Sequence, residues 1–204
     1  MNERTTKPKA RGREPLRQSL RALLSVISDA PALIRNRQLD LISANPLAHA
    51  LYEPVLTGYE HPNLARFVFL DDAAQAFFPD WERLADESVH LLRRAVDHDP
   101  YDRSLHRLIG ELSTRSARFR QRWSAGRMCR ARPPSERIRH PFVGELRLVR
   151  EELSTALDPD VTVTVYLPSA EETTHERLAI LTSWSQPDRT PKDHDHHPRK
   201  EEST

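Results

Sequence analysis

The densest charge in this 204-residue sequence is a run of arginines in its second half. Nine arginines lie between Arg115 and Arg139, and Glu136 is the one acid among them. Such a segment could neutralise nucleic-acid phosphates, or it could anchor the carboxylate of an acidic ligand. It could equally be a solvated surface on which arginines pair with acids such as Asp86 or Glu111. The sequence leaves these three interpretations open.

Binding of an apolar molecule would require bulky hydrophobic side chains, and most of those in this chain lie between residues 67 and 128. They could line a cavity, because small-molecule cavities are mostly hydrophobic with a few placed polar groups. Packing in an ordinary core is the alternative for each of them. The side chains are Phe67, Phe69, Phe77, Phe78, Trp81, Phe119, Trp123 and Met128.

Three further residues could contribute polar or reactive groups. Asn45 precedes Pro46, a pair that favours a helix start with Asn45 as the cap, although the side chain could also contact a ligand. His140, in the stretch HPFVG, could donate a hydrogen bond to a ligand carboxylate or fix the turn at a strand end. Cys129, which has arginines nearby, could be a redox-sensing thiol or a buried strand residue, and we favour the second.

Composition and motifs exclude several classes of protein. One cysteine cannot form an internal disulfide or supply a Cys-rich zinc module. The chain has five glycines and no nucleophile-elbow, phosphate-loop or HExxH motif, so we predict neither an enzyme nor a bound cofactor or metal. No apolar run approaches the ~18–20 residues that cross a bilayer, and no secretory signal opens the chain. We therefore expect a cytoplasmic protein that does not enter a membrane.

Both ends of the chain are predicted to be disordered. Residues 1–14 form a basic arm without a large apolar side chain after Met1, and residues 185–204 are rich in Pro, Asp, Lys and His. Histidines in the tail at 194, 196 and 197 could bind a stray metal ion. A solvated tail is favoured, because a metal site needs ligands held in fixed geometry. One domain is then expected over residues 15–184.

Apolar periodicity and turn residues predict the order helix, two strands, helical block, three strands, helix. The first helix carries an apolar stripe from Leu16 to Ile27. The stretch ALIRNRQLDLISAN then predicts a β-hairpin around Asn36-Arg37-Gln38. On its second strand Leu39 and Leu41 alternate with a polar residue, which predicts one buried face.

The middle of the chain has a helical period, and polar residues predict where its helices begin. Asn63 and Asp80 are expected to cap two of them. Asp99 with Pro100 is expected to open another helix, with Tyr101 on its apolar face. Further on, Phe119 and Trp123 are four residues apart and should share one helical face.

Short alternating segments after residue 126 predict strands. In the last of them, valines at 161, 163 and 165 and Leu167 form one face, and Thr162, Thr164 and Tyr166 form the other. Ser169 with Glu172 then predicts a capping box for a final helix. The alternating segments are RMCRAR, ERIRHP, GELRLVRE and VTVTVYL.

Together these elements predict an α+β domain. The N-terminal hairpin and three later strands would form a five-stranded antiparallel sheet, covered on one face, with an inserted helical block and flanking N- and C-terminal helices. This arrangement resembles the PAS architecture, which commonly holds a small ligand between its sheet and its inserted helices.

Between about Leu20 and Leu167, four blocks in order resemble the ligand-binding domain of MmyB-like transcription regulators. They are LRALLSVISDAPALIRNRQLDLISAN, NLARFVFLDDAAQAFFPDW, LIGELSTRSARFRQRW, and HPFVGELRLVREEL with the closing VTVTVY. The resemblance implies a PAS-like sensory domain for a small apolar molecule, fatty-acid-like or autoregulator-like, that passes its bound state to a DNA-binding domain. DNA would be contacted only indirectly. The expected ligand-binding residues are Asn45, Phe67, Phe78, Trp81, Phe119, Trp123, Met128 and His140.

The sequence departs from that family at two points. Family members usually carry an N-terminal helix-turn-helix of ~50–60 residues, and only fourteen mostly polar residues precede the first helix here. Ala44 stands where the family commonly has an aromatic residue, which could reshape the pocket. We therefore expect either a sensor that acts on a DNA-binding partner, or an orphan subunit that heterodimerises with an intact regulator without its own ligand. A homodimer through the helix over residues 16–27 is a further expectation.

Overall fold

One antiparallel sheet with helices packed on it makes up the protein in the computed structural model, which describes residues 17–126 and 135–185. The predicted strand RMCRAR, Met128, Cys129 and both chain ends lie outside the described residues. In chain order the elements are α1 (Gln18–Val26), β1 (Ala32–Asn36), β2 (Leu41–Ala44), α2 (Pro46–Leu51), α3 (Glu53–Leu56), α4 (Leu64–Leu70), α5 (Ala74–Phe77), α6 (Trp81–His98), α7 (Arg103–Arg115), α8 (Ala117–Ala125), β3 (Ser135–His140), β4 (Gly144–Ser154), β5 (Val161–Pro168) and α9 (Glu172–Ser185).

The sheet joins the first and last strands of the chain at its centre. Its order is β2-β1-β5-β4-β3, and every neighbouring pair is antiparallel. The hairpin β1–β2 and the meander β3–β4–β5 are thus separated in sequence by the helices α2 to α8 and meet where β1 pairs with β5. The predicted α+β class, five-stranded antiparallel sheet, inserted helical block and flanking helices are confirmed.

Helices cover both faces of the sheet, whereas the sequence predicted cover on one. The main core lies between the sheet and the helical block, where Tyr166 of β5 is buried. On the opposite face, Val163 of β5 packs with Leu20 and Leu24 of α1. Both sides of β5 are therefore buried at its centre, because the alternating chain directs one set of side chains to each layer.

The hairpin is confirmed, but its turn includes one residue that the sequence placed in the strand. Leu39 has a left-handed backbone with φ of 67° and lies before β2, which begins at Leu41. Its side chain is fully buried in the main core. Asn36 holds the turn by accepting a hydrogen bond from Asp40 N at 2.8 Å. Core burial together with this hydrogen bond accounts for a backbone conformation that leucine rarely adopts.

The predicted helix caps Asn45 and Asn63 are confirmed, whereas Asp80 is not a cap. Asn45 accepts from Ala48 N at 2.8 Å, and Asn63 accepts from Arg66 N at 3.0 Å. Asp80 makes no capping bond at the start of α6. Its carboxylate instead accepts two hydrogen bonds from the guanidinium of Arg137, at 2.5 and 3.0 Å.

The starts of α7 and α9 also differ from the prediction. Asp102, rather than Asp99, caps α7, because its carboxylate accepts from two backbone N–H groups of the first turn. Tyr101 therefore precedes the helix and is 90% exposed. No capping box forms at α9, since the Ser169 hydroxyl makes no hydrogen bond with any described residue.

Candidate functional site

Strand alternation places charged side chains on the sheet face that packs against the helical block. Leu146 and Leu148 of β4 are buried there, and Arg150 follows them at the same two-residue spacing. Arg150 lies opposite Tyr166 in the ladder, and Glu136 of β3 lies opposite Leu148. Directly opposed residues share a face, so Arg150, Glu136 and Tyr166 all point into the main core.

Arg150 is the centre of this buried group. Its side chain is 5% exposed, and its Nη1 lies 3.2 Å from Glu136 Oε2. Its Nη2 donates to the carboxylate of Glu87, which comes from α6 on the opposite layer. Arg150 therefore joins β4 to β3 through Glu136 and to α6 through Glu87.

Ion pairs extend from Arg150 in two directions. Along the sheet, Glu152 Oε1 lies 3.7 Å from Arg150 Nε and 3.2 Å from Nη2 of Arg35 on β1. Along α6, Arg83 Nη1 lies 3.7 Å from Glu87 Oε2. We call these six residues the buried charge cluster: Arg35, Arg83, Glu87, Glu136, Arg150 and Glu152.

Burial changes the protonation of the acids in the cluster. Burial raises the pKa of Glu136 to about 8; the negative charge of Glu87 adds to the shift and Arg83 opposes it. Burial also raises the pKa of Glu87, against the opposing effect of Arg150. Burial therefore shifts Glu136 toward its neutral form, while its carboxyl group lies 3.2 Å from Arg150.

Aromatic rings lie directly beside the charge cluster. The Tyr166 hydroxyl is hydrogen-bonded to the Tyr52 hydroxyl, and their ring centroids are 5.6 Å apart. The Tyr52 ring is 6.0 Å from Phe77 and 6.3 Å from Phe78. Phe67 meets both phenylalanines edge to face. We call these five rings the interior aromatic group: Tyr52, Phe67, Phe77, Phe78 and Tyr166.

The predicted site residues Phe67 and Phe78 thus come together, while three others form a second group. In this outer aromatic group, Phe119 stacks on Trp123 with centroids 5.5 Å apart, as their spacing predicted. Phe69 links Phe119 to Trp81. The outer aromatic group comprises Phe69, Trp81, Phe119 and Trp123.

Trp81 also borders an open cleft of about 760 Å³ between α5, α6 and α8. Its indole Nε1 donates to Val68 O at 2.8 Å, and its ring is flanked by the guanidinium groups of Arg118 and Arg122 at 5.1 and 4.8 Å. Arg122 is held in turn by Glu82 and Asp86. The cleft wall is therefore a network of paired charges around a largely covered indole.

Asn45 uses all of its hydrogen-bonding capacity on backbone groups. Its side-chain oxygen accepts from Ala32 N at 3.1 Å and from Ala48 N at 2.8 Å. Its side-chain nitrogen donates to Ile27 O at 2.7 Å and to Ala30 O at 2.8 Å. An asparagine amide makes two bonds of each kind, so this one connects the end of α1, the start of β1 and the start of α2.

His140 is also engaged with the backbone. Its Nε2 lies 3.0 Å from Ala50 O, and its Nδ1 faces the backbone N–H groups of Phe142 and Val143 at 3.3 and 3.5 Å. Burial lowers the pKa of His140 against the effect of the Ala50 contact, which favours a neutral ring that donates from Nε2 and accepts at Nδ1. The ring therefore holds the β3–β4 turn against the end of α2.

The described arginines of the 115–139 segment have partners within the chain. Arg115 pairs with Glu111 at 3.0 Å and Arg139 with Glu145 at 3.5 Å. Arg120 donates to Ser113 O at 2.7 Å near the end of α7. With the Asp86 pair of Arg122 and the Asp80 pair of Arg137, these contacts favour the interpretation of a surface that pairs its own charges.

Sequence reasoning missed the buried charge cluster, although two signals pointed to it. Arg150 continues the alternation of Leu146 and Leu148, and Glu87 lies three residues after Leu84 on the apolar face of α6. A charged residue at a buried position of a regular pattern indicates a partner in the core. What the pattern does not identify is which distant residue supplies that partner.

The described part of the chain has no group of three or more His, Cys, Asp or Glu arranged to hold a metal ion. In residues 17–126 and 135–185, no helix combines the length and hydrophobicity that crossing a membrane requires.

Comparison with known proteins agrees with the architecture. The model of the MmyB-like transcription regulator ligand binding domain matches residues 16–181. That range begins two residues before α1, ends within α9 and includes the whole described sheet. A search of curated proteins found no match.

Proposed function

This chain belongs to the MmyB-like transcription regulator ligand binding domain family, and on that premise we propose that it is the sensory part of a transcriptional regulator. It would bind a small apolar molecule, fatty-acid-like or autoregulator-like, in the cytoplasm and without catalysis. The bound state would reach DNA through a DNA-binding partner. The family match over residues 16–181 is the observation that carries this proposal.

The layer between sheet and helices supports a ligand site there. It contains the interior aromatic group, which offers apolar surface, and the buried charge cluster, which offers polar contacts. Ligand sites combine these two features. Phe67 and Phe78 are the predicted site residues that this arrangement supports most directly. Phe77 and Phe78 lie at the end of the four-residue helix α5, so a small shift of α5 would open space beside Tyr52.

A route from this interior to α1 supports a sensory role. Tyr52 directly follows α2, and Asn45 at the start of α2 is hydrogen-bonded to Ile27 O at the end of α1. The other end of α1 is held by Arg17, which pairs with Asp158 at 3.0 Å. If a ligand binds more tightly when α2 is in one of two positions, it shifts the population toward that position. Because Asn45 connects α2 to the end of α1, the position of α1 would change with it.

Native mass spectrometry of the purified protein, followed by denaturing extraction, tests the proposal. We expect a stoichiometric apolar small molecule, and its affinity for the reloaded protein should fall several-fold in Phe78→Leu. The matched control is Phe142→Leu, because Phe142 is 72% exposed and lies outside the interior aromatic group. A mass without ligand, combined with no thermal shift across a panel of lipids and apolar acids, would refute ligand sensing.

An orphan interaction subunit is the second candidate function. It is favoured by the outer side of α1, where Leu23 is 40% and Val26 is 79% exposed. That surface would serve equally for the homodimer expected through residues 16–27. Sedimentation equilibrium of the wild type and of Val26→Glu tests both, since a dimer or heterodimer through α1 should dissociate in the variant. Identical association of the two proteins would exclude α1 as the interface.

A further inference from the structure

The helix α1 packs in a small hydrophobic cluster that is separate from the main core. Leu20 and Leu24 of α1 are buried against Ala32 and Ile34 of β1 and Val163 of β5, on the sheet face that points away from the helical block. The main core lies on the other face and, within residues 17–126 and 135–185, includes no side chain of α1. The packing of α1 can therefore be lost while the main core stays intact, because the two clusters share the sheet but no buried side chain.

Little stabilises α1 as a helix on its own. It has nine residues, and isolated helices shorter than about 12–15 residues are marginal in water. Arg17 at its N-terminal cap position makes no capping hydrogen bond with its side chain. The first turn of α1 has no acid and the last turn has no base, so side-chain charges do not complement the helix dipole. α1 is therefore helical chiefly because it is docked on the sheet.

The two ends of α1 are held differently. Arg17 Nε lies 3.0 Å from Asp158 Oδ2, and Arg17 Nη2 donates to Leu157 O at 3.2 Å, so the β4–β5 loop holds the start of the helix. The Arg17 and Asp158 side chains are 47% and 27% exposed, which makes this ion pair weak and sensitive to salt. At the other end, the buried Asn45 side chain donates to Ile27 O at 2.7 Å. The start of α1 is thus the end that opens, and Ile27 is the pivot.

We propose that α1 is a strap that undocks from the sheet as one unit while the rest of the domain stays folded, and that the ion pair of Arg17 with Asp158 sets how often it opens. This inference rests on the proposed function, in which α1 carries the signal, and adds the motion and its control. Opening uncovers Ala32, Ile34 and Val163, an apolar strip at the centre of the sheet. A partner that binds this strip would hold α1 open, because it binds only the open state.

Hydrogen exchange followed by mass spectrometry measures this opening on the whole wild-type chain, without added ligand. An amide that opens locally exchanges faster than one that opens only when the whole domain unfolds, and its exchange rate responds less to urea. We expect the amides of Gln18–Val26 to exchange about a hundredfold faster than the slowest amides of α6. Their rates should also depend more weakly on urea, at concentrations below the unfolding transition.

Variants separate local opening from global unfolding. Arg17→Gln and Asp158→Asn should each raise the exchange rate of α1 about threefold, and the double variant no further, because both remove the same ion pair. High sodium chloride should have the same effect on the wild type and little on these variants. Arg21→Gln is the matched control, because Arg21 is an exposed arginine of the same helix, and it should exchange like the wild type.

A change in the main core gives the opposite pattern. Phe78→Ala should speed exchange in α6, which is protected until the whole domain unfolds. It should leave the exchange rate of α1 unchanged, because the contacts of Phe78 persist when only α1 opens.

The outcomes separate this inference from the proposed function. Equal exchange of α1 and α6, or an equal rise of both in Phe78→Ala, would mean that α1 opens only with the whole domain, and the inference would be overturned while ligand sensing stands. Fast exchange of α1 that Arg17→Gln and Asp158→Asn leave unchanged would contradict the control by this ion pair. The expected exchange pattern in a protein that retains no ligand would support the strap and count against ligand sensing alone.

Discussion

We expect this protein to lose stability as the pH rises from 5 to 9, and replacing Glu136 by glutamine should remove much of that loss. Burial raises the pKa of Glu136 from 4.5 to about 8. The folded pKa lies above the unfolded one, so the folded state binds the extra proton between these values and loses stability as the pH rises through the window. At ~1.36 kcal/mol for each tenfold change in proton affinity, the difference between the folded and unfolded pKa of Glu136 corresponds to at most about 5 kcal/mol.

Glutamine is the neutral counterpart of the protonated side chain, so the variant should keep the stability of the wild type at pH 5. At pH 9 it should exceed the wild type by several kcal/mol, up to the ~5 kcal/mol derived from the shift. A smaller slope should remain in both proteins, because burial also raises the pKa of Glu87. The suitable control is Glu151→Gln, which removes an exposed acid from the same sheet.

Urea denaturation at pH 5, 7 and 9, followed by tryptophan fluorescence and far-UV circular dichroism, measures these free energies of unfolding. The decisive quantity is the stability advantage of Glu136→Gln over the wild type, that is, the difference in their free energies of unfolding, at pH 9 compared with pH 5. If this difference is zero, or if Glu136→Gln is destabilised equally at all three pH values, Glu136 is ionised in the folded protein. The assignment of a neutral acid beside Arg150 would then be refuted.

Three further substitutions probe other parts of the fold. Asn45→Asp keeps the two hydrogen bonds that Asn45 accepts but loses the two that it donates, and it places a negative charge against carbonyl oxygens. Urea denaturation should therefore show a loss of about 2–4 kcal/mol in the free energy of unfolding. Asn45→Ala should lose the helix cap as well. Phe78→Ala should lower the free energy of unfolding by about 3–5 kcal/mol, because it leaves a cavity in the interior aromatic group. In thermal denaturation of both variants, Phe142→Ala should be nearly neutral because Phe142 is exposed. Trp81→Phe should lose about 1–3 kcal/mol with its bond to Val68 O and its two guanidinium contacts, and an unchanged melting temperature would show that the outer aromatic group does not support α8.

Local sequence signals predicted those parts of the fold whose partners lie nearby in the chain. Asn45 and Asn63 cap helices because the amides they bind are three residues away. The hairpin and the pairing of Phe119 with Trp123 follow from equally short spacings. Residues within one helical turn or one hairpin have a relative position that the local backbone fixes, so it can be predicted without knowing any other element.

Predictions failed where a distant residue competed for the same group. Asp80 has the side chain of a helix cap, but the guanidinium of Arg137 takes its carboxylate, 57 residues away in sequence. A charge-assisted pair with two hydrogen bonds is stronger than a single bond to a backbone N–H group. Leu39 was predicted in a strand but lies in the turn with a left-handed backbone, because burial of its side chain in the core outweighs the backbone preference of leucine.

The sequence by itself determined the α+β class, the order of the elements and the resemblance to the MmyB-like family, because periodicity and turn chemistry depend on neighbours along the chain. It also grouped Phe67 and Phe78 with six other bulky residues as a possible cavity lining, without separating the two aromatic groups. Only the tertiary structure decided that Arg150 meets Glu87 and Glu136. Their partners and protonation depend on burial between two layers, and burial is produced by elements far apart in sequence.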